Sequence, residues 1–378
     1  MRTIFMKIIS DFYKENKKII WSILLLLIIY KILLLGLAFL NYYYTFKIER
    51  FNSSILLNFW GHWDAGHYLA IAREGYSLSK SNMAFFPLYP LLIKILSYFF
   101  GFKLAAYLIN FFALTGALIG LFKLVKLDLD ENAAWRSLFY LLLFPTAIFL
   151  SAFYTESLFL FLAIWIFYSI RKKNWLAAGI FGLLAGLTRI ESAAIFIFML
   201  YEYLADKDFD FKKIKKEFIY CFFPLIGILL YSLYLKLQFG QFFIFLKSQA
   251  AWGKTFTFPW QPIGDYLMTF FTFSLATTHY YLARAFDLIF FITSLIMGSL
   301  VLLRLRISYG LYIIFSIVMV SFTSDLASTN RRAIILFPLL ILLAKWGKNP
   351  IINFTILMLF AGLFSLFIFR FINNAWAG

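Results

Sequence analysis

One carboxylate stands out among the residues whose chemistry could serve a reaction. Asp64 lies in the polar segment from Trp60 to Tyr76 (WGHWDAGHYLAIAREGY), which apolar sequence surrounds on nearly every side. The chain has only 18 acidic residues among 378, and a positioned carboxylate can take a proton from an attacking hydroxyl group. We therefore interpret this segment as a loop that carries the catalytic centre, with Asp64 as its base.

Other polar residues that could share a pocket with Asp64 recur in short segments between apolar runs. Carboxylates there could assist proton transfer, and arginines could hold a phosphate leaving group through paired hydrogen bonds. The candidates are His62, Trp63 and His67 in the first segment, Tyr154 and Glu156 in SAFYTES, Arg189 and Glu191 in LTRIES, and Arg331 and Arg332 in STNRR.

Each charged candidate also has a purely structural interpretation. Arg189 and Glu191 could pair across a tight turn, and Glu156 could be an N-terminal charge favoured by the helix dipole. Arg331 and Arg332 could be ordinary flanking charges at the end of a membrane span. The sequence leaves these alternatives open.

Metal and disulfide chemistry have little support. The only cysteine is Cys221, which excludes an intramolecular disulfide and a cysteine-based metal site. His62 and His67 do not share a helical face, as ligands at positions i and i+4 would. We predict no metal ligand and no certain cofactor, although two carboxylates could hold a divalent ion. The glycines of AAGIFGLLAGLTR are expected to allow close helix packing rather than to form a phosphate-binding loop.

The composition predicts an all-α polytopic membrane protein. Hydrophobic residues make up 63% of the chain and charged residues only 14%, whereas a soluble protein needs roughly a quarter of its residues charged. Apolar runs of roughly 17 to 25 residues recur, the length that crosses a bilayer as a helix. The net charge of +17 comes from short Lys and Arg clusters between those runs. This pattern is typical of cytoplasmic loops beside anionic lipid, and we expect no nucleic-acid partner.

The basic clusters predict the topology. Lys and Arg residues precede the first span, residues 19–40, and place the N-terminus in the cytoplasm and the following loop, residues 41–102, outside. We interpret residues 85–101 (FFPLYPLLIKILSYFFG) as an interfacial helix of that loop, with Pro87 and Pro90 at its start. A crossing at this point would place the later basic clusters outside.

The remaining spans complete a bundle of about eleven transmembrane helices. They are residues 104–125, 134–150, 156–170, 175–188, 190–204, 217–237, 286–303, 308–324, 332–345 and 350–371. A second long external loop covers residues 238–285, and residues 1–378 form a single integral-membrane domain. Nearly all the candidate polar residues then fall on the external face, so several acids and arginines can share one external pocket.

Four ordered motifs resemble those of the PIG-V-like mannosyltransferases, the family that includes GPI mannosyltransferase II and prokaryotic homologues. The first motif is HWDAGHYLAIAREGY followed by MAFFPLYPLL, which is similar to its WD-x-x-[HW]-[FY]-x-x-IA-x-x-GY and FFPxxP pattern. FPTAIFLSAFYTESLF is similar to its NP-x-S-x-F-x-x-x-x-Y-[ST]-E-[AS]-LF segment. LLAGLTRIES resembles its G-x-x-R segment, and STNRRAIILFP resembles its R-[YF]-x-x-x-x-FP segment. The motifs run along essentially the whole chain.

The resemblance implies a GT-C-type bundle and a glycosyltransferase that takes a hexose, expected to be mannose, from a polyprenyl-phosphate donor at the external face. Carried over residue by residue, it implies Asp64 and Glu156 as the acidic catalytic positions. It also implies Arg189 as a contact of the donor phosphate and Arg331 as the arginine of the last motif, which we expect to assist there.

The sequence departs from the family pattern at positions that touch substrate. Arg332 stands where the pattern has an aromatic residue, and Phe144-Pro145 replaces Asn-Pro. Ile190-Glu191 replaces small polar residues after the arginine. The acceptor of the GPI enzymes is therefore not carried over to this chain.

Taken together, these features predict an inverting transfer to an acceptor hydroxyl on a lipid-linked or membrane glycan. We expect a prokaryotic plasma membrane, contacts with membrane lipids, and an isoprenoid slot formed by residues 85–101 and the aromatic-rich spans. A transporter or flippase of lipid-linked sugars is the alternative, and it expects charges near the bilayer midplane and inverted repeats. A scaffold without catalysis is a third. The first two differ in whether Asp64, Glu156 and Arg189 converge in one external pocket or line a path through the membrane.

Overall fold

The computed structural model describes residues 2–46, 57–77, 82–271 and 278–375. Within these residues the chain is all-α, apart from an isolated antiparallel bridge between Phe256 and Thr323. The helices are α1 (Arg2–Phe46), α2 (Asp64–Glu74), α3 (Leu88–Phe100), α4 (Phe102–Asp128), α5 (Glu131–Leu142), α6 (Glu156–Arg171), α7 (Trp175–Gly186), α8 (Ser192–Asp206), α9 (Phe223–Phe239), α10 (Ile244–Ser248), α11 (Trp260–Phe271), α12 (Thr278–Arg304), α13 (Ile307–Ser321), α14 (Thr329–Arg332), α15 (Pro338–Trp346) and α16 (Pro350–Ile372).

Among the described residues, five helical stretches are long and apolar enough to cross a membrane. They are Asn16–Thr45, Phe102–Asp128, Lys216–Phe239, Tyr281–Arg304 and Pro350–Ile372. Each overlaps a predicted span, which supports a multi-pass integral membrane protein. The total of about eleven spans, the interfacial position of residues 85–101 and the external position of the long loops stay predictions.

Two predicted spans are interrupted, so the prediction of continuous helices there was wrong. Residues 134–150 contain the end of α5 and a separate 3₁₀ turn at Ala147–Leu150. Residues 332–345 are divided between α14 and α15. A proline cannot donate a backbone hydrogen bond to the preceding turn; Pro145 lies at the first break, and Pro338 begins the helix after the second.

Side-chain caps fix where several helices begin. Asp130, Asn174 and Asn349 precede α5, α7 and α16, and their side-chain oxygens accept backbone N–H bonds of 2.7, 3.0 and 2.9 Å. Such caps satisfy N–H groups that have no partner inside the helix. The turns that carry them therefore end one helix and begin the next at defined residues.

The expected close helix packing at the glycines is confirmed. A Cβ atom at Gly186 would lie 2.1 Å from the carbonyl oxygen of Pro224 in α9. A Cβ atom would lie 2.9 Å from a Tyr220 side-chain atom at Gly179, and 2.9 Å from a Pro224 side-chain atom at Gly182. Only glycine lets α7 and the segment containing α9 approach this closely.

The first polar segment is mostly helix rather than the predicted loop. Helix α2 begins at Asp64, and its buried residues are Ala65, Tyr68, Leu69, Ile71 and Ala72. The i, i+3, i+4, i+7 spacing of most of these residues is typical of an amphipathic helix. The buried face packs against α3 and α4, so Asp64 is mounted on a packed helix end.

Candidate active site

Helix ends and short connections bring the predicted charged residues to one place. Asp64 is the first residue of α2, and Glu156 is the first residue of α6. Arg189 and Glu191 lie in the short connection between α7 and α8, and Arg331 lies in α14. The fold thus joins residues as far as 267 positions apart in sequence.

Six charged side chains form a chain in which acids and bases alternate, here called the charge chain. Its members are, in order, Asp64, Arg331, Glu156, Arg189, Glu191 and Arg332. The N···O distances between successive members are 2.7, 3.4, 2.8, 2.9 and 3.1 Å. Acids and bases are equal in number, which reduces the cost of burying them, because an unpaired buried charge is strongly destabilising.

A cavity of about 330 Å³, the first cavity, lies beside the charge chain. Its wall includes Asp64, Arg189, Glu191, Arg331 and Arg332. The volume is within the range of small-molecule sites. The structure therefore brings five of the predicted site residues to one cavity.

Asp64 has the contacts that a general base needs. Arg331 Nη1 donates a hydrogen bond of 2.7 Å to Asp64 Oδ2, and the Asp64 side chain is 19% exposed. No described residue donates a hydrogen bond to Oδ1. One oxygen is therefore oriented by the arginine, and the other is available to a hydroxyl group.

Glu156 occupies a different position, beneath the first cavity rather than in its wall. Its side chain is fully buried. Oε1 accepts a hydrogen bond of 2.8 Å from Arg189 Nη1, and Arg331 Nε lies 3.4 Å from the same oxygen. Among the described residues Oε2 has no hydrogen-bond partner. Glu156 thus holds two arginines that themselves reach the cavity.

Arg189 is largely committed to protein contacts. Its Nη1 donates to Glu156 and, at 3.0 Å, to Thr155 Oγ1. Its Nη2 and Nε donate to the two carboxylate oxygens of Glu191, at 2.9 and 3.3 Å. These four bonds leave one of the five guanidinium N–H groups. The predicted pairing of Arg189 with Glu191 does form, but as one link of the charge chain.

Arg331 is charged and held between aromatic rings. Its guanidinium carbon lies 5.1 Å from the ring centre of Tyr154 and 5.6 Å from that of Phe149, within the range of cation–π contacts. Burial alone would lower the pKa of Arg331, but the neighbouring carboxylates of Asp64 and Glu156 raise it above its ordinary value. Arg331 therefore remains a cation.

Three predicted pocket residues support the turn before Asp64 and do not line the first cavity. The Tyr154 hydroxyl donates a hydrogen bond of 3.0 Å to the backbone oxygen of His62. The His62 ring packs edge-on against Phe371, and burial lowers the pKa of His62. Trp63 has a φ of 57°, which is strained for a bulky residue. This backbone conformation directs the chain into α2 at Asp64.

His67 also lies behind the cavity wall. Its ring stacks on Phe85 with 4.7 Å between ring centres and meets Trp252 edge-on at 5.5 Å. Phe85 and Trp252 line the first cavity, and His67 supports them. Within the described part of the chain, no group of three or more His, Cys, Asp or Glu side chains is placed to hold a metal ion.

Sequence reasoning missed Lys254. It lines the first cavity, and its Nζ donates a hydrogen bond of 3.1 Å to the backbone oxygen of Ala327. Burial, with the nearby charge of Arg332, lowers the pKa of Lys254 to about 8. Its segment, WGKTFTFPW, lies in residues 238–285 and matches none of the family motifs, so no local signal marked it.

Comparison with known proteins identifies the family. No curated protein sequence matched the chain. The model of the family described as mannosyltransferase (PIG-V) matches residues 17–281, which include Asp64, Glu156 and Arg189 and end before Arg331. The predicted resemblance is confirmed: because the match covers well over half of the 378 residues, the chain belongs to the mannosyltransferase (PIG-V) family of glycosyltransferases.

Proposed function

We propose that the protein transfers a mannosyl group from a polyprenyl-phosphate donor to a hydroxyl group of a lipid-linked or membrane glycan at the external face. The main support is the geometry of the Asp64 carboxylate. Arg331 donates a hydrogen bond to its Oδ2, and no described residue donates one to its Oδ1. It shares a cavity with three arginines. A base beside several cations suits attack by a hydroxyl group on a sugar whose leaving group is a phosphate.

The reaction is a single displacement. Asp64 takes the proton of the acceptor hydroxyl as its oxygen bonds to the anomeric carbon. The bond between that carbon and the phosphate oxygen breaks, and the lipid phosphate leaves with the electron pair. Attack opposite to the leaving group inverts the anomeric configuration. Because the leaving group is already an anion, the site needs to neutralise its charge more than to protonate it.

The other charged residues divide this work. Arg331 orients Asp64 through Oδ2 and stabilises the departing phosphate from the wall of the first cavity. Arg189 contributes its positive charge, since most of its N–H groups already contact Glu156, Thr155 and Glu191. Glu156 is a positioning residue that holds both arginines, because its buried carboxylate does not reach the cavity.

The described residues give little support to the transport alternative. Glu156 begins α6 and Arg171 ends it, about 22 Å away at about 1.5 Å per residue. Arg171 pairs with Asp128 at that far end. Between the ends, Phe167 stacks on Phe198 with 3.6 Å between ring centres. The two charged regions are separated by aromatic packing, whereas a transport path would need polar groups along it.

Replacement of Asp64 by Asn tests the proposal. The amide keeps the size of the side chain but cannot take a proton, so we expect transfer from polyprenyl-phosphate mannose to fall by roughly 10²- to 10⁴-fold. Asp265→Asn is the matched control, because Asp265 is exposed on α11 and does not line the first cavity. Activity of Asp64→Asn within a few-fold of the parent, in membranes where Asp265→Asn is fully active, would remove Asp64 from the base role.

A further inference from the structure

Lys254 stands at the boundary between two adjoining cavities. The second cavity has a volume of about 460 Å³ and shares five wall residues with the first. These are Ile190, Glu191, Gln249, Lys254 and Arg332. A ligand that spans both cavities must therefore pass Lys254 and Arg332.

The two cavities differ in chemistry. The first contains Asp64 and most of the charge chain. Apart from the shared residues, the second cavity is lined by six apolar side chains and four polar ones. The apolar ones are Leu246, Ala250, Phe256, Met319, Val320 and Phe322, and the polar ones are Lys247, Thr255, Ser316 and Thr323. Phe256 and Phe322 stack there with 6.1 Å between ring centres, and both are exposed, so this cavity opens outward. The two cavities together match an amphiphile that has an anionic group between a polar head and an apolar tail.

Lys254 differs from the arginines of the charge chain in its contacts. In the described part of the chain its ammonium forms no salt bridge, the charges of Asp325 and Asp287 act on it without direct contact, and its hydrogen bond goes to the backbone oxygen of Ala327. An ammonium has three donors, so donors remain for a ligand. Arg332 donates hydrogen bonds from Nε to Glu191 and from Nη1 to the same Ala327 oxygen. Arg189 has only one N–H group left for a ligand. Lys254 is thus the cation shared by the two cavities that has the most donors left for an anion.

Backbone hydrogen bonds fix the position of Lys254. Thr257 N donates to Phe322 O at 3.1 Å, and Ser324 N donates to Thr255 O at 2.8 Å. Gly253, at a φ of 71°, forms the turn just before the lysine. The segment that carries Lys254 is therefore fastened to the segment that leads into α14, and its ammonium is not a freely moving surface charge.

We propose that Lys254, assisted by Arg332, binds the phosphate of the donor, and that the isoprenoid chain lies in the second cavity. This assignment rests on the function proposed above. The sugar then extends into the first cavity toward Asp64, and the tail leaves between residues 246–256 and the end of α13. None of residues 85–101 lines the second cavity, whereas the sequence had suggested a slot formed by these residues and the aromatic-rich spans.

Donor kinetics of lysine variants test the phosphate contact. Lys254→Met removes the ammonium and should raise the donor KM roughly 10- to 100-fold, the cost of a charge-assisted hydrogen bond. Lys254→Arg should recover much of this loss. Lys236→Met is the matched control, because Lys236 also donates to a backbone oxygen, that of Gly240, but is exposed and lines neither cavity. A parental donor KM in Lys254→Met would overturn the phosphate assignment.

Neighbouring alanines test the tail slot independently of any loss of folding at Lys254. Ala250 lines the second cavity and Ala251 does not, and both are exposed. The parent should favour a full-length polyprenyl donor over an analogue truncated to two isoprene units. Ala250→Trp should abolish that preference, and Ala251→Trp should keep it. An unchanged preference in Ala250→Trp would overturn the slot. Absence of transfer by the parent from either donor would instead refute the proposed function.

Discussion

Replacement of Glu156 by Gln separates a positioning role from a catalytic one. Glu156 carries the central negative charge of the charge chain, and its side chain is fully buried. Its Oε1 lies 2.8 Å from Arg189 Nη1 and 3.4 Å from Arg331 Nε. The amide keeps an oxygen for Arg189 but removes the charge that lies between the two guanidinium groups.

The expected size of the effect follows from burial. A buried charge left without its partner costs about 3–5 kcal/mol. The oxygen that the amide retains can still accept a neutral hydrogen bond, worth about 1 kcal/mol. The free energy of unfolding should therefore fall by about 2–4 kcal/mol. Displacement of Arg331 would also disturb Asp64, and a shift near 1 Å can cost about 10²-fold in rate.

The assay combines stability with the pH dependence of transfer. A positioning role predicts that Glu156→Gln lowers kcat while its pH profile keeps the shape of the parental one. In the double variant with Arg189→Gln the charge chain again has equal numbers of acids and bases. Its loss of unfolding free energy should therefore be smaller than the sum of the two single losses, by about 1 kcal/mol or more. Disappearance of one limb of the pH profile would instead assign Glu156 a proton-transfer role, and additive stability losses would contradict the coupled chain.

Two further predictions concern Lys254 and Gly186. The pKa of Lys254 is lowered from 10.5 to about 8 by burial, so between those values the unfolded chain binds more protons at this residue and its contribution to stability rises with pH. Over the same range the ammonium is lost, and the donor KM should rise with pH in the parent but not in Lys254→Met. The charges that act on Lys254 are Arg332, Asp325, Arg331 and Asp287. Gly186→Ala should lower the melting temperature, because its Cβ would lie 2.1 Å from Pro224 O and overpacking typically costs about 1–3 kcal/mol. Gly362→Ala is the control, because no atom lies within 4 Å of its Cβ. This control variant should melt no lower than the parent.

Local pattern predicted much of the fold, and tertiary packing decided the rest. Glycines at short intervals in α7 indicated a close helix contact, and Gly186 and Gly227 do meet across α7 and α9. The helix between Trp60 and Tyr76 was not predicted, because polar residues surround it. Its apolar positions at Ala65, Tyr68, Leu69 and Ala72 are few and span only about two helical turns. The helix break at Pro145 could not be predicted from the sequence, because a membrane helix can also contain a proline without ending there.

The acids and arginines of the site were predictable as a group, but their roles were not. The family motifs gave their identity, whereas the contact between Asp64 and Arg331 spans 267 positions and follows no sequence spacing. Nothing in the letters YTES tells whether Glu156, as the first residue of α6, reaches a cavity or the core. Lys254 belongs to a motif-free segment, and only its position beside Ala327 makes it part of the site.

The charge chain gives the site a direction. Its order begins with a carboxylate, Asp64, and ends with a guanidinium, Arg332. The interior arginines, Arg331 and Arg189, are paired on both sides and act on the departing phosphate through their charge. The two end members have one neighbour each in the chain and can contact substrates directly: Asp64 a proton and Arg332 an anion, with Lys254 beside it at the boundary of the apolar cavity. Donor and acceptor are therefore expected to approach from opposite ends of the chain, the lipid phosphate at Arg332 and the acceptor hydroxyl at Asp64. A reversal of that order, with the acceptor competing for binding at Lys254 and the donor unaffected there, is incompatible with a base at Asp64, because the attacking hydroxyl would then lie at the wrong end.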